Sequence, residues 1–214
     1  MNHSPTLQYR RSIRYKGYDY TQPGAYFITL VTADHLTLFG EIAFGEMQLN
    51  KLGNLIRSVW LRLPKFFPIQ HDEWVIMPNH FHGIIWILDR DGGRGEASAK
   101  GVNALHEIFE ADASPSQRPI GTKVGSLGAV IQNFKSVSTR KINQRLRDVY
   151  QGEAFDGKGS GIARLQMSNA SLLQVWQRNY FDRVIRNEKE LDRIRQYIID
   201  NPRKWEEEDE EYRA

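Results

Sequence analysis

The stretch Glu73 to Leu88 (EWVIMPNHFHGIIWIL) constrains this chain more than any other. Two apolar, β-branched and aromatic runs are separated only by Pro78-Asn79, so they read as two strands, a hairpin turning near Pro78. Alternation along the second strand sends His80 and His82 to one face and Phe81 to the other, with the two histidine Cα atoms about 7 Å apart. Two imidazoles so placed can converge on one metal ion. They can equally flank a core aromatic for packing and hydrogen bonding.

The remaining elements follow from periodicity. Ala25 to Thr32 (AYFITLVT), after the turn Gln22-Pro23-Gly24, is a buried strand, and Phe39 to Leu49 is a hairpin or edge strand. Leu52, Leu55, Ile56, Val59, Trp60 and Leu63 recur at helical spacing until Pro64. Leu127, Val130, Ile131, Phe134 and Val137 begin a second helix that continues to Leu146. Leu172 to Ile185 is a short strand or extended segment. Glu188 to Asp200 is a helix expected to stop at Asn201-Pro202, because the residue before a proline is pushed out of the α region. Residues 89–120 and 151–168 are Gly- and Ser-rich insertions. The mixed order of about four strands and three helices predicts one α+β or α/β domain over residues 1–205, a sheet with helices on it.

Composition narrows the chemistry. With no cysteine, disulfides, thiolate metal sites and cysteine nucleophiles are excluded, and any metal falls to His, carboxylate, amide or water. Six of the 26 acids and one of the 29 bases lie in the tail 206–214, so the body is more basic than the net charge of +3 indicates. The arm 1–22 sets Arg10, Arg11, Arg14 and Lys16 among Tyr9, Tyr15, Tyr18 and Tyr20, a mixture suited to single-stranded nucleic acid. No window is apolar enough for a membrane span, and the N-terminus lacks the apolar core of a secretory signal, so a soluble intracellular protein is expected.

Few residues outside the histidine pair are candidates for chemistry. Tyr197 and Asn201 are four apart on the last helix, flanking the core stripe Leu191, Ile194 and Ile198. Gly125-Ser-Leu-Gly128 matches a phosphate-clamping G-x-x-G, with a helix N-terminus as the simpler account. His3, His35, His71 and His106 stand isolated in the sequence. Walker loops, dinucleotide fingerprints and G-x-S-x-G or H-E-x-x-H motifs do not occur.

Four ordered stretches, RRSIRYKGYDYTQPGAYFITLVT, WVIMPNHFHGIIWI, LGAVIQNFKSVSTRKIN and VWQRNYFDRVIRNEKELDRIRQYIIDNPRKW, resemble the single-tyrosine HUH transposases of insertion sequences, above all the REP-associated tyrosine transposases. The resemblance implies a ferredoxin-like sandwich, an antiparallel sheet of four to five strands with the histidines on a central strand and the nucleophile on a C-terminal helix. His80 and His82 match the metal-binding histidines, Tyr197 the attacking tyrosine and Asn201 the third protein ligand. That position is usually glutamine in the insertion-sequence branch and commonly asparagine in the REP-associated one. The implied cofactor is Mg²⁺ or Mn²⁺, acting as a Lewis acid on the scissile phosphodiester. A phenol of ordinary pKa near 10 needs such help at neutral pH. The implied product is a 5′-phosphotyrosine and a free 3′-hydroxyl, formed without ATP. The implied partner is single-stranded or hairpin DNA, handled by a monomer or homodimer in the bacterial cytoplasm, at the nucleoid. Arg10, Arg11, Arg14 and Lys16, then Lys135 and Arg140, are the expected DNA contacts, and Tyr18, Tyr20, Trp176 or Tyr180 the expected stacking platforms. The alternatives are a domesticated DNA hairpin binder with little or no cleavage, and a hydrolytic metallophosphodiesterase using activated water.

Overall fold

The structure, a computed structural model, describes residues 18–88, 123–152 and 173–213. Arg10, Arg11, Arg14 and Lys16, all of 89–120 and all but Gln151 and Gly152 of 151–168 lie outside the described residues.

In chain order the elements are β1 (Gly24–Val31), β2 (Gly40–Ala43), β3 (Glu46–Leu49), α1 (Lys51–Arg62), β4 (Ile69–Ile76), β5 (His80–Ile87), α2 (Leu127–Gly152), β6 (Phe181–Ile185) and α3 (Glu188–Arg213). The main sheet has the order β4-β5-β1-β6, antiparallel throughout. Setting aside the β2–β3 hairpin and α3, this is a β-α-β-β-α-β chain, the ferredoxin-like arrangement. The histidine strand β5 is interior, as expected.

Each helix forms for a local reason. Asn50 caps α1, its side chain accepting from Leu52 N at 2.8 Å and Gly53 N at 2.9 Å. Gly125, at φ 77, turns the chain into α2, whose first turn is tied by Ser126 Oγ accepting from Ala129 N. The G-x-x-G is therefore a helix start. The β2–β3 hairpin turns at Phe44-Gly45, both left-handed, the hand that matches strand twist.

The sheet is covered on both faces. Tyr26, Ile28, Leu30, Phe81 and Ile85 meet α1 and α2 through Trp60, Val130 and Phe134. Ala25, Phe27 and Ile84 meet Leu191, Ile194 and Ile198 of α3. Burying each of those three α3 side chains contributes about 1.5–3 kcal/mol, which fixes the helix to the sheet.

Two expectations need correction. Helix α3 does not stop at Asn201-Pro202 but runs through Pro202 to Arg213, taking in most of the acidic tail. The proline removes one helical hydrogen bond at a cost of about 3 kcal/mol. Tertiary contacts offset that loss: Pro202 is buried, and beyond it Trp205 packs on His80 with ring centroids 5.4 Å apart. The second correction concerns Trp176. It is buried against Phe39 and Phe134 and its indole N–H donates to Ser138 Oγ at 2.9 Å, so it is a core residue and no stacking platform. Of the expected 172–185 segment, among the described residues only Phe181–Ile185 is a strand, with an isolated bridge from Trp176 to Thr32 before it.

Candidate active site

Strand β5 places His80 opposite Val31 and His82 opposite Thr29 of β1. The imidazoles stand on the α3 face with centroids 4.6 Å apart, while Phe81 is fully buried on the other face. Each ring is oriented through Nδ1: Thr29 Oγ1 lies 2.8 Å from that of His82, and Asn79 Oδ1 lies 2.7 Å from that of His80. The Nε2 atoms are left for the site. Burial is the main cause that lowers both pKa values, His80 to about 4 and His82 to about 3. Both imidazoles are neutral at pH 7, the form that ligates a metal.

Helix α3 crosses this face and brings two more of the expected residues to the histidines. Tyr197 Oη is 3.3 Å from His82 Nε2, and its ring is 42% exposed. One turn later the Asn201 side chain stands beside His80 and works against the effect of burial on its pKa. Their i, i+4 spacing on the helix matches the i, i+2 spacing on the strand, so each histidine meets one helix residue. Among the described residues no three His, Cys, Asp or Glu side chains gather as a metal site. Two oriented, neutral imidazoles and one amide form a coherent donor set for a divalent ion that keeps open positions for oxygen ligands.

A clasp two residues before Tyr197 ties α3 to β4. Between His71 and Trp74, β4 carries one residue more than β5 opposite, and Asp72, next to His71, falls on the α3 face by strand alternation. Arg195 grips Asp72 with two bonds, Nε to Oδ1 and Nη2 to Oδ2, each 2.7 Å. The Trp86 indole N–H donates to the same carboxylate at 2.9 Å. These bonds, the one from Arg195 first, hold the Asp72 carboxyl at about 2, below its ordinary 3.8.

Sequence reasoning missed Thr29, Asn79, Asp72, Arg195 and Trp205. Only Asn79, adjacent to the pair, carried a local signal; the others are brought in by register and by tertiary contact. His35 is not isolated either, since its charge also lowers the His80 pKa and its carbonyl accepts from Asn79 Nδ2 at 3.4 Å. Lys135 and Arg140 stand apart, on α2 across the sheet, lining a cavity of about 860 Å³. The Lys135 ammonium donates to the carbonyls of Gln177 and Arg178, and burial lowers its pKa to about 8. Tyr18 and Tyr20 pack edge-on together at 5.1 Å beside Tyr26.

No described helix is long and apolar enough to cross a membrane. No protein-family model matches the sequence. A solved structure of a REP-associated tyrosine transposase bound to a REP hairpin aligns with 89% of this chain and 73% of its own, at 16% identity and a TM-score of 0.49. Over 201 residues, 94% of this chain and 92% of the other, the sequence is 35% identical to an uncharacterized protein of Haemophilus influenzae, and the chain belongs to the same family as that protein.

Proposed function

We propose that the protein is a metal-dependent single-tyrosine HUH transposase or endonuclease that cleaves and rejoins single-stranded or hairpin DNA through Tyr197. The observation that carries this reading is that Tyr197 meets His82 and Asn201 stands beside His80, all on the α3 face of the sheet. A pure DNA binder has no physical need for a phenol aimed at a buried imidazole. His80, His82 and Asn201 would hold Mg²⁺ or Mn²⁺, which supplies Lewis-acid polarisation of the phosphodiester when bound. Thr29 would keep His82 oriented with Nε2 toward the metal, and Tyr197 Oη attacks phosphorus with its proton passing to solvent. The P–O bond to the 3′ oxygen breaks, and that oxygen leaves as a hydroxyl, protonated from solvent. The 5′ phosphate stays on Tyr197. Reversal by an incoming 3′-hydroxyl rejoins a strand with no nucleotide cofactor.

The test is a denaturing gel of the full chain with end-labelled hairpin DNA and Mg²⁺ or Mn²⁺. A metal-dependent covalent adduct is expected in wild type and none in Tyr197→Phe. Binding without an adduct in wild type would leave a hairpin-binding protein in its place. Cutting that persists in Tyr197→Phe would make water the nucleophile.

A further inference from the structure

The outer edge of β6 carries a second feature that the chemistry above does not use. Phe181 lies opposite Thr29, which lies opposite His82, so the three form one row across the sheet on the α3 face. Phe181 meets Phe27 edge-on at 6.3 Å, and Phe27 meets Tyr197 at 6.1 Å and stacks on His82 at 5.6 Å. Phe181 is 40% exposed, so two open aromatic rings flank the buried Phe27. Beyond Phe181 opens a cavity of about 910 Å³, walled also by Tyr18, Tyr20, Arg186, Lys189 and Arg193. Of its other charged groups, Arg183 and Glu190 satisfy each other at 2.6 Å, leaving Asp182 against three exposed cations.

We propose that this β6-edge cavity seats the unpaired DNA strand adjoining the phosphodiester at Tyr197, with a base on Phe181 and the backbone on Arg186, Lys189 and Arg193. The assignment rests on the function proposed above. A flat exposed ring beside exposed cations is what a single strand recognises, because every base has a face to stack and every nucleotide a phosphate to neutralise. A duplex hides its base faces, so a stem does not fit Phe181 in this way. A peptide strand could add to the open edge of β6, but three cations against one acid favour a polyanion.

The test is binding, by fluorescence anisotropy with Mg²⁺, of two labelled hairpins that differ only in a single-stranded flank. The comparison runs in a Tyr197→Phe background, so that cleavage does not enter. Phe181→Ala should weaken the flanked hairpin by about ten- to a hundredfold, the loss of one base stack, and leave the blunt hairpin within about threefold. Phe181→Trp should restore the flank preference. Arg186→Gln with Lys189→Gln should lower the salt dependence for the flanked hairpin alone, while Lys141→Gln with Arg145→Gln on α2, an equal loss of charge, should not. Equal losses for both hairpins, or an unchanged flank preference in Phe181→Ala, would overturn the assignment. Failure of the function reading looks different, since wild type would then retain the flank preference and form no adduct.

Discussion

The two faces of the central sheet are built from the same strands and serve opposite ends. Toward α1 and α2 the side chains are large and dry: Trp60, Phe81, Phe134 and Trp176 are buried, with ring centroids 4.6 to 5.9 Å apart along the cluster. Toward α3 the apolar cluster is small, and the rest of the face is given to Thr29, His80, His82, Tyr197 and the Asp72–Arg195 clasp. Histidine shows the contrast best. On the first face His71 stacks on Trp60 at 4.4 Å, and neither its Nε2 nor Trp60 Nε1 has a hydrogen-bond partner among the described residues. On the second, both histidines have their Nδ1 atoms held and their Nε2 atoms turned to the site. Burial lowers the pKa of all three, so a neutral buried imidazole does not by itself mark a site. Convergence with oriented partners does.

If the division holds, the first face determines stability and the second activity. The largest effect is expected at Phe81, whose ring contacts Trp60, Trp74 and Phe134. Phe81→Ala should cost about 3–5 kcal/mol, read as a fall in the denaturant midpoint at unchanged slope. Gly83→Ala tests the same packing from the other direction, because a Cβ there would stand 2.9 Å from the Phe81 ring and 3.1 Å from that of Trp60. A loss under about 1 kcal/mol in both would break the comparison.

A smaller effect is expected at the clasp on the second face. The Asp72 carboxyl is held at about 2 against 3.8, so its contribution is complete above the higher value and is lost as pH falls through the lower one. Arg195 is 36% exposed and solvent screens the pair, so about 1–2 kcal/mol is expected. Asp72→Asn should be less stable than wild type by that amount at pH 7, and the two melting curves should converge near pH 2. Its adduct rate should fall as well, because α3 loses the clasp two residues before Tyr197. An unaltered rate with lowered stability would leave the clasp without a positioning role.

Much of this was legible in the sequence, for reasons that differ by element. Strand alternation places His80 and His82 together without any tertiary information, and helical spacing does the same for Tyr197 and Asn201. The start of α2 follows from Gly125, and α1 from apolar periodicity. The end of α3 was not legible, because a local rule about Pro202 was overridden by Trp205 packing on His80, a contact distant in sequence. Trp176 failed for a related reason, since composition marks an aromatic but not its burial. Thr29 and Asp72 had no signal at all. One depends on strand register and the other on a partner distant in sequence, and neither is set by neighbouring residues.

The smallest stability change and the sharpest functional one should come from Thr29→Val. The replacement is nearly isosteric and removes only the hydroxyl 2.8 Å from His82 Nδ1. Stability should fall by no more than about 1–1.5 kcal/mol, the cost of one lost hydrogen bond beside a partly buried ring. Without that partner neither the tautomer nor the rotation of His82 is fixed, and loss of an outer partner of a metal-ligating histidine typically weakens the metal by about 10–100-fold. Titration with Mn²⁺ followed by electron paramagnetic resonance reads the affinity directly, and thermal melting of the same sample reads the fold. A weakened metal in a protein that melts normally places the hydroxyl in the site. If Mn²⁺ binds the variant as it binds wild type, His82 is held by packing against Phe27 alone, and the polar face is more like the dry one than the hydrogen bonds indicate.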